Sequence, residues 1–151
     1  TDPCMELRQC AVIDRRGEVA CWTGAKCPPW AGAIAAEQFC VQGNRLAGRT
    51  VLEAAAEAYR RASARPLVER LMEALAAGDA GGGDRCGESS ATVYVVDQEE
   101  YPLWDIRVDH HREPLAELRR LHQVFAREVV PEILAMPTRA NPAGKAAEES
   151  I

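Results

Sequence analysis

Four stretches gather side chains able to bind or react. In "FCVQGNRLAG" an apolar pair, Cys40 and Val41, gives way at once to Gln42, Gly43 and Asn44. Gly43 permits a bend or a close backbone approach, and the Asn44 carboxamide either caps the following helix or presents its N–H to a ligand. In "AGGGDRCGESSA" three glycines precede Asp84, Arg85, Ser89 and Ser90. A phosphate-binding Walker loop requires Lys and then Ser or Thr opening a helix, whereas Asp84 and Arg85 lead into a strand pattern. The segment is therefore a plain flexible loop or a mobile active-site rim. "CPPWAG" sets Trp30 among prolines and small residues, either as an aromatic tucked into the core or as a pocket wall. "DIRVDHH" alternates Ile106 and Val108 with a polar stripe of Asp105, Arg107 and Asp109; on an open strand this is a solvated face, and on a covered sheet it must be paired or line a cleft.

The elements that must position these groups are legible from periodicity. "QCAVID", "RRG" and "EVACWTG" predict a β-hairpin whose turn uses Gly17, with Asp14 facing Glu18 and Cys10 facing Trp22. "AKCPPWAG" is expected as a loop ending at Gly32, because Pro28 and Pro29 cannot donate to a ladder, and "EQFCVQGN" as a third strand. Apolar residues at Val51, Leu52, Ala55, Ala58, Tyr59 and Ala62 predict a helix; Leu67, Val68, Leu71, Met72 and Leu75 predict a second, ending at Gly78. "ATVYVVD" and "WDIRVDHH" read as strands around a polar "QEEYP" connection, and Leu115, Leu118, Leu121, His122, Phe125 and Val129 mark a last helix up to Pro131. Residues 1–135 form one expected domain and residues 136–151 a flexible tail. Strands grouped before and after helices favour an α+β fold with largely antiparallel sheet.

Composition excludes several classes. The chain has 151 residues and a formal charge of −5, which is enough length for one core and lacks the basic footprint of a nucleic-acid binder. No apolar run is long enough to span a membrane and no secretory leader pattern opens the sequence, so a cytoplasmic location is expected. The six cysteines include no C-x-x-C pair. The hairpin register sends Cys10 and Cys21 to opposite faces, and strand alternation separates His110 from His111, so neither a disulfide framework nor a metal site is expected. No cofactor is implied.

Five ordered segments, "DP…RQCAVIDRRGEVACWTG", "CPPWAG", "FCVQGNRLAG", "AGGGDRCGESSA" and "LRR" after "RVDHHREPLAEL", together resemble the Ntn-hydrolase-like family called domain of unknown function 1028, over Asp2 to about Leu121. The resemblance implies a four-layer αββα sandwich, of which this chain is the second half; roughly the first 90 to 100 family residues have no counterpart. It also implies hydrolysis of an amide (C–N) bond in a small molecule. In that superfamily an N-terminal Thr, Ser or Cys attacks through its side chain with its own α-amine as base, so Thr1 becomes the candidate nucleophile. Either a precursor is cleaved before Thr1, leaving this chain as an autoprocessed β subunit, or the missing half carries the nucleophile. Against the first stands "TDPCMEL", which does not read as the strand that normally follows such a residue. Within the resemblance, "QGN" ends a strand at the cleft: Asn44 is an oxyanion donor or substrate contact, Asp84 and Asp109 order the substrate or the Thr1 amine, and Trp30, Gln42, Arg85 and Ser90 line the substrate site. Arg85 suits a carboxylate. The expected partners are the N-terminal half, or α subunit, and further copies of the assembled unit. The alternative is a non-catalytic binding subunit of a split assembly.

Overall fold

The computed structural model describes residues 2–145, which divide into two compact units, residues 2–88 and residues 89–145. Both mix helices with two-stranded antiparallel sheets, so the α+β class stands. Each unit gathers its own contacts.

In the first unit, β1 (Gln9–Ile13) and β2 (Val19–Thr23) pair in the expected register, with Cys10 opposite Trp22. The turn closes because the Asp14 carboxylate accepts the Arg16 and Glu18 N–H groups at 2.8 and 2.9 Å, while Gly17 takes φ +82°, a left-handed conformation that costs glycine nothing. One face of this hairpin, including Val12 and Trp22, is exposed. A strand not foreseen follows: β3 (Gly32–Ala36) pairs with β4 (Phe39–Gly43), Ile34 opposite Val41. The stretch Gly-Ala-Ile-Ala-Ala has weak intrinsic strand preference, and it is the neighbouring "FCVQG" that recruits it.

Helices α1 (Arg49–Arg61) and α2 (Leu67–Ala80) pack together, with Val51 and Ala55 of α1 against Gly78 of α2; Leu52 and Ala56 of α1 and Val68 of α2 are also buried. Gly78 is a terminator by its local sequence, yet it lies buried inside α2, where a Cβ would touch Ala55 and Val51 at 3.5 and 3.6 Å. These are ordinary contact distances, and α2 runs on past Gly78 to Ala80, so this glycine does not break the helix. Leu67 and Leu75 of the expected stripe are instead exposed. Tyr59 of α1 ties the layers: its ring sits 4.6 Å from that of Phe39 in β4, and the Arg70 guanidinium of α2 lies 4.0 Å from its centroid.

In the second unit, β5 (Ala91–Val96) and β6 (Pro102–Val108) form a hairpin with Val93 opposite Ile106. Val93, Val95, Ile106 and Val108 are buried with Leu118 of α3 (Pro114–Glu128), and Trp104 stacks on His122 and Phe125. Period two in the strands and 3.6 in the helix thus meet on one apolar seam. A short α4 (Val130–Ala135) follows. Residues 136–145 of the expected tail fold back: Tyr101 Oη donates to the Pro137 carbonyl at 3.1 Å, and the Arg139 N–H donates to Glu99 at 3.1 Å.

Candidate functional site

The end of β4 is where the first unit concentrates polar groups. Gly43 closes the strand, and the chain turns through Asn44 and Arg45, the latter at φ +57°. A left-handed arginine costs roughly 1 kcal/mol or more, a cost retained only where surrounding contacts impose the conformation. Those contacts are visible on both sides. The Arg45 N–H donates to the Pro28 carbonyl at 3.0 Å and the Leu46 N–H to the Trp30 carbonyl at 3.0 Å, so "CPPW" runs along one flank. On the other flank the Arg85 and Ala47 N–H groups bond the Arg45 and Gly83 carbonyls at 2.8 and 3.0 Å.

The glycine segment is therefore pinned, not the mobile loop its composition suggests. It leaves α2 through hydrogen bonds from Gly81, Gly82 and Gly83 N–H back to Ala77, Asp79 and Gly78 carbonyls, and it then bridges Leu46 at Asp84. Glycine serves here as a helix terminator that allows two backbones to touch. Asp84 accepts the Cys86 N–H at 2.7 Å and the Arg45 Nη2 and Nε at 3.2 and 3.3 Å. The Cys86 N–H and then Arg45 hold its carboxyl below the usual range, so it is an anion at neutral pH. Glu88 reaches back to accept the Asp84 N–H at 3.0 Å. Burial first and then the Glu88 carboxylate beside it push the Asp79 carboxyl up.

Asn44 is exposed, and its Nδ2 donates to Gln9 Oε1 at 3.1 Å. Gln9 itself is half-buried at the start of β1. Of the expected residues, Trp30, Asn44 and Asp84 thus meet around Arg45 and Leu46. Gln42 is exposed on β4 opposite Ala33, and the Arg85 side chain is exposed without an ion pair among the described residues. Ser90 and Asp109 belong to the second unit, exposed just before β5 and just after β6. Arg107 is gripped by Asp105 at 2.8 Å. Thr1 lies outside the described residues. A separate cavity of about 240 Å³ in the second unit, lined by Asp97, Tyr101, Leu103, Ile133 and Thr138 among others, includes none of the expected residues.

Gln9, Arg45 and Glu88 are additions that sequence reasoning does not single out. The hairpin register does hold a clue to Gln9, since it places this lone polar side chain opposite Thr23 on the inward face. Nothing local distinguishes Arg45 from its neighbours, because its conformation is imposed by segments distant in sequence. All six cysteines are free, and among the described residues there is no group of three or more His, Cys, Asp or Glu arranged to hold a metal ion and no helix long and apolar enough to cross a membrane.

The model of a family of unknown function, DUF1028, matches residues 1–118. No curated protein matches the chain. Among solved structures, the crystal structure of protein SPO2555 from Silicibacter pomeroyi, assigned to that family, is similar with a TM-score of 0.82 at 27% identity. The similarity covers 95% of this chain but 62% of that protein, so the chain spans less than two thirds of its length.

Proposed function

The chain belongs to the DUF1028 family, and we propose that it is part of an Ntn-type hydrolase that cleaves an amide (C–N) bond of a small molecule. The supporting observation is the end of β4, where the Asn44 carboxamide is held by Gln9 beside an ionised Asp84 paired to Arg45. An amide donor held in place by a half-buried partner is the arrangement that stabilises a tetrahedral oxyanion, since it needs little reorganisation as charge develops. The working assembly is a four-layer αββα sandwich completed by an N-terminal half, and the exposed apolar residues Val12 and Trp22 suit burial in such an assembly.

The Thr1 hydroxyl attacks the substrate carbonyl while its α-amine takes the proton. Oγ–C forms, and the C–N bond breaks as the ammonium returns that proton to the departing nitrogen. Water then hydrolyses the ester and restores Thr1. Asn44 donates to the oxyanion, and Asp84 orders the substrate or the Thr1 ammonium. Trp30, Gln42 and Arg85 contact the substrate. In the alternative, a non-catalytic subunit, the same groups bind without turnover.

The deciding experiment expresses the longer gene product with and without Thr1→Ala and follows intact mass and release of amine from a panel of small amides. The expected result is cleavage before Thr1 and turnover in the unaltered protein, with both lost in Thr1→Ala. Normal cleavage and retained amidase activity in Thr1→Ala would remove Thr1 from the mechanism; no turnover by either protein would leave the binding subunit.

A further inference from the structure

The Gln9 amide meets groups from four separate positions in the first unit. Its Nε2 lies 3.0 Å from Thr23 Oγ1 on β2, 3.1 Å from the Gly32 carbonyl on β3 and 3.0 Å from the Gly43 carbonyl on β4. Its Oε1 accepts Asn44 Nδ2 at 3.1 Å. A carboxamide offers two N–H donors on one side and an acceptor oxygen on the other. Two of the groups facing Nε2 are carbonyl oxygens, which only accept, and the group facing Oε1 is an NH2, which only donates. Rotating the amide by half a turn would set oxygen against two oxygens and NH2 against NH2. One orientation therefore survives, and it is enforced by backbone atoms that no side-chain rotation can remove.

This orientation has a consequence for Asn44. The same amide holds the Gly43 carbonyl and, one residue on, the Asn44 side chain. Backbone and side chain at the strand end are thus fixed by one group. With one Nδ2 hydrogen committed to Gln9, the other, and Oδ1, are without a partner among the described residues.

We propose that Gln9 is the positioning residue of the site: it aims the Asn44 carboxamide so that the uncommitted N–H faces the scissile carbonyl of the substrate. The proposal rests on Asn44 being the polarising group of the hydrolase. Gln9 itself touches no reacting atom.

The test reads Asn44 directly by recording its side-chain 15N–1H signals in the full chain. In the unaltered protein the two Nδ2 protons should differ in exchange rate by about fivefold, the ratio expected for one hydrogen bond of about 1 kcal/mol. Equal rates would overturn the proposal without any variant being made. Gln9→Met, of similar length but without polar atoms, should equalise the two rates. In Gln9→Glu the ionised carboxylate opposes the Gly32 and Gly43 carbonyls and regains a donor only on acidification, so the Asn44 signals should become pH-dependent. Asn44 signals unmoved in a folded variant of either kind would refute the coupling. With an amide substrate, Gln9→Met should lower kcat far more than it changes KM. Turnover that survives Asn44→Ala would sink the hydrolase role of Asn44 while the spectroscopic coupling to Gln9 stood, so the two failures are distinguishable.

Discussion

Gly83→Ala should weaken the first unit by about 2–3 kcal/mol, and the cost divides into two parts that a control separates. Gly83 is buried at φ +53°, a conformation that costs a residue with a Cβ roughly 1–2 kcal/mol. The added methyl would also stand 2.3 Å from Glu88 Oε1, far inside contact distance. Glu88 must move, and its hydrogen bond from the Asp84 N–H, 3.0 Å long, is lost with it at about 1 kcal/mol. Gly87 is the control. It has φ +80°, but a methyl added there would meet nothing within 4 Å, so Gly87→Ala carries the backbone cost alone. Urea unfolding followed by circular dichroism should give equal slopes for the two variants and a lower midpoint for Gly83→Ala. Equal midpoints would show that Glu88 does not lie over Gly83 and that the segment carrying Asp84 is not clamped as described.

Further outcomes follow from the same contacts. Asp79 is raised above its unfolded value, chiefly by burial and then by Glu88; its folded form holds the proton more tightly, so its contribution is complete below the unfolded value and is lost as pH rises through the raised one. Asp79→Asn, which keeps a donor toward Glu88 without a charge, should match the unaltered chain near pH 4 and exceed it near neutrality by less than about 1 kcal/mol in urea titrations; a gain that is larger in acid would contradict the pairing. Leu118, 1% exposed against the β5–β6 hairpin, should cost about 2–5 kcal/mol when changed to Ala, and a loss under about 1 kcal/mol in the same assay would mean the second unit does not depend on that seam.

How much of this is legible in the sequence varies residue by residue. The β1–β2 register can be read because Gly17 and Asp14 define a tight turn, and once a turn is set the period of two leaves a single alignment. Both long helices of the first unit are legible from apolar spacing, but the end of α2 is not. Gly78 carries the local signature of a terminator, and only the surface of α1 turns it into a packing position.

At the candidate site the division is sharper. The sequence by itself determined which side chains are chemically able, namely Asn44, Asp84, Arg85 and Trp30, and it determined that glycine makes the 81–83 segment permissive. Tertiary structure alone decided which of them act on each other. Arg45 adopts φ +57° because strand end, proline loop and glycine segment all bond its surroundings. Asp84 pairs with Arg45, 39 residues away in the chain, while the neighbouring Arg85 side chain stands exposed. Gln9 meets Asn44 across 35 residues. Hydrogen bonds between carboxamides and ion pairs depend on distances of a few ångströms, and such distances between remote residues exist only once β1, β4 and α2 have packed; sequence periodicity reports the face a residue occupies, not the partner that waits there.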